Sequence, residues 1–202
     1  MDSLPPSLLT IPEGMPLCTK RVLMRPCLPA EAPKVVELYQ RNWPVWCEWD
    51  PPAPQGLFEV SYWERRLTDQ LAALTTSSAV PFWMFDASQP DGQIIGAANF
   101  SSVVRGPFQA CFLGYKLAEE YWGRGLMTEA LEAAIAWVFE HLGLHRIMAN
   151  YIPRNEKSGA VLKRLGFQIE GYARDYLFIE DRWQDHVLTA LTNPDPQPPN
   201  TT

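Results

Sequence analysis

The run Leu113-Gly-Tyr-Lys-Leu-Ala-Glu-Glu-Tyr-Trp-Gly-Arg-Gly-Leu-Met-Thr-Glu-Ala-Leu131 constrains the chain more than any other. It reads as a strand that enters a short loop, passes Gly123-Arg-Gly125 and continues as an amphipathic helix. Leu131, Ile135, Val138 and Leu142 recur at helical spacing, and Gly143 stops the helix. The two glycines free the backbone to approach a bulky ligand and to aim successive N–H groups outward. A helix N-terminus adds roughly half a positive charge, so the combination suits a pyrophosphate. The same glycines would also ease a tight strand-to-helix turn with no ligand at all. The run is neither a GxxxxGK[ST] loop nor a three-glycine dinucleotide fingerprint.

At 202 residues the chain is long enough for one domain with a sizeable core. Prolines gather in residues 1–17 and 192–202, which read as flexible tails around a single domain at 18–191. Arg21–Arg25 alternates polar and apolar residues as a half-buried strand does. Ala30–Arg41 carries a helical stripe of Val35, Val36, Leu38 and Tyr39. Asn42–Pro54, crowded with Trp43, Trp46, Trp49 and several prolines, is predicted to be irregular. A second helix fits Leu57–Leu74. Strands follow at 80–86 and 94–104, joined by Pro90-Asp-Gly92, and at 109–117. Beyond the glycine-led helix come a strand at 146–152, a short helix at 158–165 and closing strands at 167–179 and 182–191. The order β-α-α-β-β-β-α-β-α-β-β predicts an α+β domain with a mixed sheet.

Composition closes off several classes of function. Lys and Arg total 17 against 23 Asp and Glu, a formal net charge of −6. That balance argues against a general binder of nucleic-acid backbones and suits a basic partner. No stretch approaches the about 18 apolar residues of a membrane span, and the N-terminus lacks the pattern of a secretory signal. The expected location is the cytoplasm. Cys18, Cys27, Cys47 and Cys111 lack CxxC spacing and read as reduced, mostly buried thiols. His141, His145 and His186 make no metal-ligand pattern, so no metal is expected.

The second informative run is His145–Phe167. Its basic residues Arg146, Arg154, Lys157, Lys163 and Arg164 are set against Glu156 alone, a basic island that suggests an anionic ligand. Lys163 and Arg164 would equally suit a solvated helix face. Asn155 has the position of an N-cap and, with Ser158, would also face an adjacent cleft. Together the glycine loop, Asn155-Glu-Lys-Ser158 and Leu165-Gly-Phe167 resemble the GCN5-related N-acetyltransferases (the GNAT superfamily), and the element order agrees. Within that family the likeness is to ribosomal-protein-alanine N-acetyltransferases of the RimJ type. It is carried by Ala97-Ala-Asn-Phe-Ser101, Val103-Val-Arg-Gly106, Gly125-Leu-Met127, His145–Tyr151, Glu170–Tyr176 and Trp183–Ala190. One departure stands in the loop, where the family's [QR]-x-x-G-x-[GA] falls here on Trp122, Gly125 and Met127.

The resemblance implies the acyl-CoA N-acyltransferase fold, a mixed and mostly antiparallel sheet flanked by helices. It also implies acetyl-CoA as cosubstrate and direct transfer of acetyl to an amine in a ternary complex. By that likeness the strand Leu113, Gly114, Tyr115, Lys116, Leu117 pairs with the pantetheine arm. Backbone around Trp122, Gly123, Arg124, Gly125, Leu126, Met127 and Thr128 cradles the pyrophosphate, and Asn155 contacts the pantetheine amides. Ser158 is implied as proton donor to the departing thiolate, although helix-start hydrogen bonding would account for it as well. For the base, Glu48 among its tryptophans competes with Asp175 and Tyr176, which sit late on a core strand. An α-amine of pKa about 8 would also lose its proton through a water relay. Trp46, Glu48, Asn99, Tyr115 and Tyr176 are the candidate contacts to the acceptor. The implied acceptor is the N-terminal alanine or serine of a basic ribosomal protein. A small-molecule amine (amino acid, polyamine or antibiotic) and a CoA-binding regulatory module without turnover stand as alternatives. Monomer and homodimer are both open.

Overall fold

The computed structural model describes residues 12–196, so the outer parts of both expected tails, 1–11 and 197–202, lie outside the described residues. Eight strands form one sheet: β1 (Leu17–Cys18), β2 (Val22–Arg25), β3 (Val80–Asp86), β4 (Ile94–Val104), β5 (Ala110–Leu117), β6 (Arg146–Tyr151), β7 (Gln168–Ile179) and β8 (Arg182–Thr192). Across the sheet they run β1-β2-β3-β4-β5-β6-β8-β7. Neighbours are antiparallel except β5 and β6, which are parallel because the helix at Leu126–Leu142 carries the chain back between them. This is the mixed, mostly antiparallel sheet predicted from the sequence.

In chain order the helices are α1 (Ala32–Trp46), α2 (Val60–Thr75), α3 (Leu126–Leu142) and α4 (Glu156–Arg164). Strand alternation sorts the core into two layers. Val22, Met24, Phe82 and Met84 pack with Leu131, Ala134 and Val138 of α3 on one face. Leu23, Trp83 and Phe85 pack with Val35, Leu38, Trp63 and Leu67 of α1 and α2 on the other. Pro81 sits inside β3 without breaking the sheet, because the β2 ladder covers only Trp83–Asp86 and leaves Pro81 without a partner on that side.

Several sequence-based expectations are corrected. α1 does not stop at Arg41 but runs to Trp46 with Pro44 inside it. An interior proline costs about 3 kcal/mol in a helix. Here the last turn is anchored by Trp46, which is buried edge-on to Tyr39 and donates its indole N–H to the Leu117 carbonyl at 3.2 Å. β7 is the outer edge of the sheet, not a core strand, and its residues are mostly exposed. Between the pairs Ala173–His186 and Leu177–Gln184, residues 174–176 stand opposite Asp185 alone and form a bulge.

At its ends the fold takes in residues outside the expected 18–191 span. Leu17 pairs with Met24, Trp137 donates its indole N–H to Glu13 at 3.0 Å, and the Asn193 N–H bonds His145 at 2.8 Å. All four cysteines are free thiols, but only Cys27 and Cys111 are buried. No helix among the described residues is long and apolar enough to cross a membrane.

Candidate active site

β5 and β6 pair only from Ala110–Arg146 to Phe112–Met148, although β5 continues to Leu117 and β6 to Tyr151. β6 keeps its bonds to β8 as far as Tyr151–Val187 and so leaves β5 behind. The β6-facing backbone edge of residues 113–117 is therefore outside any ladder, open to an extended ligand that carries amides. The gap widens into a cleft of about 380 Å³ that draws on both faces of the sheet. Leu113, Gly114, Tyr115, Asn150, Tyr151, Asn155 and Ser158 line it toward α4. Tyr39, Trp49, Asp50, Trp63, Trp83 and Asn99 line it toward α1 and α2.

At the far end of β5 the Leu117 carbonyl accepts a second indole N–H, from Trp122 at 2.8 Å. Gly123 and Gly125 follow with φ of +73° and +74°, the left-handed region in which L side chains are strained. A Cβ at Gly123 or Gly114 would meet nothing within 4 Å, so both border open space. Gly125 is the N-cap of α3 and brings no capping side chain, which leaves the amides of Leu126, Met127 and Thr128 without helical partners. Unpartnered amides at the positive end of a helix, beside a glycine that borders open space, suit an anion such as a pyrophosphate.

The cradle is braced by a residue to which the sequence reading assigned no role. Arg21 donates through Nη1 to the Arg124 carbonyl at 2.8 Å and through Nε to Glu129 Oε2 at 2.7 Å. Its backbone N–H reaches Glu129 Oε1 at 2.8 Å, where the Thr19 hydroxyl also donates at 2.6 Å. The Thr19 bond, followed by Arg21 and opposed by desolvation, holds the Glu129 carboxyl below its ordinary range. Nothing local signals this, since more than a hundred residues separate the partners.

The expected basic island does not exist as one patch. Arg146 is ion-paired with Glu170. Arg154 donates to Glu180 at 2.6 Å and to the Glu48 carbonyl at 3.2 Å, and its guanidinium lies 4.6 Å from the centre of the Trp49 ring. Acids remote in sequence neutralise what a local count of charges left unbalanced. Of the set, Lys157 stands next to the cradle loop, 4.0 Å from the centre of the Trp122 ring.

In the opening itself the hydroxyls of Tyr115 and Ser158 lie 2.8 Å apart, and Tyr115 Oη is 3.1 Å from the Ser158 carbonyl. Burial pushes the Tyr115 phenol up to about 12, against the lowering pull of Ser158. Asn155 caps α4, its Oδ1 accepting from the Ser158 N–H at 3.1 Å. The capping role and the cleft position of this pair thus coexist.

The acceptor-side candidates separate. Asn99 and Tyr115 line the cleft, whereas Trp46 is buried beneath it as part of the α1 core. Glu48 is not enclosed by tryptophans; it is half exposed and turned to Arg154. Asp175 sits in the β7 bulge with φ of +50°, its N–H on Asp185 Oδ1 at 2.9 Å. Tyr176 is exposed but reaches the cleft wall through Asn150, which donates to its hydroxyl at 3.0 Å. Residues the sequence reading missed are Tyr39, Asp50, Trp63 and Trp83. Asp50 is ion-paired with Lys116, whose ammonium also lies 5.1 Å from the Tyr39 ring centre and 5.0 Å from that of Trp46.

A free strand edge, a helix N-terminus with unpartnered amides at its end and the Tyr115–Ser158 hydroxyl pair would suit a transferase of acyl groups carried on CoA. The family model for the acetyltransferase (GNAT) domain matches residues 21–168, and the chain belongs to that family. It is 45% identical to the [ribosomal protein uS5]-alanine N-acetyltransferase of Escherichia coli over 179 residues, 89% of this chain and 91% of the relative. The crystal structure of ribosomal-protein-S5-alanine acetyltransferase from Vibrio fischeri is similar at a TM-score of 0.86 and 36% identity, covering 90% of this chain and 98% of that one. RimJ of Mycobacterium smegmatis, solved in complex with CoA-disulfide, is similar at a TM-score of 0.79 and 27% identity, covering 87% and 85%. The protein is an N-acetyltransferase.

Proposed function

We propose that the protein transfers acetyl from acetyl-CoA to the N-terminal amine of a ribosomal protein in the cytoplasm, with the alanine N-terminus of uS5 as the leading acceptor. The observation that carries this reading is the cleft where β5 and β6 part, which draws on both faces of the sheet and holds the Tyr115–Ser158 pair in its wall. Two reactants entering from opposite faces would meet there. The acceptor follows from the Escherichia coli and Vibrio fischeri relatives, whose names specify that protein and residue.

Acetyl-CoA supplies the thioester that an amine can attack. Residues 113–117 would hold its pantetheine arm along their free edge, Gly123–Thr128 its pyrophosphate, and the Asn155 side-chain amide a further contact. A backbone N–H near Tyr115 or Lys116 would meet the acyl oxygen as negative charge develops there. Ser158 and Tyr115 would hydrogen-bond the sulfur as the carbon–sulfur bond breaks. With its phenol pushed up to about 12, Tyr115 stays protonated at neutral pH and would stabilise the sulfur by a hydrogen bond, while the proton that the amine loses on attack would reach the departing thiolate through water.

Thiol release from acetyl-CoA tests this, with a peptide of the uS5 N-terminus compared with free amino acids and spermidine. Turnover is expected with the peptide and little with the small amines, and Ser158→Ala should lower turnover more than acetyl-CoA affinity. Faster turnover of a small amine would move the acceptor to that class. Binding of acetyl-CoA with no turnover of any amine would leave a regulatory module.

A further inference from the structure

We infer that Asp50 is the site that receives the acceptor's ammonium, held ready for it by Lys116. The inference deepens the acetyl-transfer reading and rests on it. An amine that arrives charged needs a carboxylate on its way to the thioester, and Asp50 is the one carboxylate among the described residues lining the cleft. It lies in the loop after α1, between Trp49 and Pro51, which line the same wall.

Lys116 occupies one oxygen, Oδ2, while Oδ1 accepts no hydrogen bond among the described residues. A carboxylate has lone pairs for more than one cation, so Oδ1 is available to a second. Lys116 is itself pinned against the Tyr39 and Trp46 rings, so the carboxylate is fixed from behind. Burial works against the Lys116 charge, yet Tyr39 and Asp50 together hold its pKa above the ordinary lysine value.

The pairing also suits the chemistry. A lone carboxylate would stabilise the ammonium and keep the nitrogen protonated, which opposes attack. Paired with Lys116 the carboxylate is neutralised, and Arg66 lines the same cleft, so Oδ1 orients the nitrogen while the neighbouring cations favour loss of its proton. Glu48, two residues earlier, is engaged by Arg154 instead.

The test is calorimetric titration of the full chain, with CoA present, by two peptides of the uS5 N-terminus. One begins with alanine; the other carries propionyl in its place and has no amine. The unmodified protein should favour the amine peptide by about tenfold or more, the size of a charge-assisted hydrogen bond. D50N should lose that preference while its affinity for CoA is unchanged within about twofold. Because D50N leaves the Lys116 charge stranded, D50N/K116M is measured beside it; this variant removes both charges and should retain the thermal midpoint. It too should fail to distinguish the peptides. Preference for the amine peptide in either variant overturns the inference, as does a loss of affinity for both peptides alike. If the unmodified protein binds neither peptide, the N-terminal acceptor reading falls and this inference with it.

Discussion

At position 125 a side chain would stand in the row of N–H groups that opens α3. An aspartate here would be strained by the left-handed φ of +74°, at about 1–3 kcal/mol. Aspartate enters that region more readily than most residues, and Arg21 Nη2, 3.6 Å from where a Cβ would be, would pair with it, so Gly125→Asp is expected to fold with a lowered thermal midpoint. Its carboxylate would place negative charge beside the amides proposed to hold the pyrophosphate. Affinity for CoA should fall by about a hundredfold or more, roughly 3 kcal/mol, as titration would show. Unchanged affinity would remove the pyrophosphate from this loop. The places of Gly125 at a helix start and of Ser158 in a capped first turn were legible in the sequence because their signals are local: a glycine before a helical stripe, and a serine three residues after an N-cap. Asp50 was not. Glu48 and Asp50 look alike in a run of tryptophans and prolines, and what separates them is Arg154 beside one and Lys116 beside the other. Those partners come from other elements, and no local pattern announces them.

Elements are where the sequence was most readable, since periods of two and of 3.6 residues survive without knowledge of the neighbours. What periodicity omits is sheet order. It could not show that β7 is an edge strand, or that β6 follows β8 away from β5 to open the slot. Nor could it show that the turn between β1 and β2 is fastened to the first turn of α3 through Thr19, Arg21 and Glu129. Because Glu129 titrates below its ordinary value of 4.5 in the fold, this fastening is complete above that value. It is lost as pH falls through the lower, folded pKa. Glu129→Gln should therefore lower the thermal midpoint at neutral pH and flatten its decline on the acid side. It should also raise the KM for acetyl-CoA several-fold by loosening the Arg124 carbonyl that Arg21 holds. An acid limb identical to that of the unmodified protein would show that the network contributes nothing.

On the scale of the whole molecule, one side chain ties together three segments that the sequence keeps far apart. Arg154, between β6 and α4, holds the loop after α1 through Glu48 and Trp49, and the β7–β8 turn through Glu180. The first of these segments carries Asp50 and Trp49 into the cleft wall, and the hairpin brings Leu177 and His186 to it. Arg154 bonds neither the cradle nor the Tyr115–Ser158 pair, so this strap of contacts bears chiefly on the acceptor's side of the cleft. Arg154→Ala should therefore raise the KM for a peptide acceptor several-fold and leave that for acetyl-CoA unchanged. The Arg154 pairs are more than a third exposed, and exposed pairs contribute only about 0.2–1 kcal/mol each, so the thermal midpoint should move little. The ratio of the variant's peptide KM to that of the unmodified protein should shrink as salt is raised, because screening weakens the Arg154 ion pairs that the variant lacks. Steady-state kinetics with each substrate varied in turn, at low and high ionic strength, would measure this. A rise in the acetyl-CoA KM instead would mean that the strap holds the β5–β6 opening itself and not the path of the acceptor.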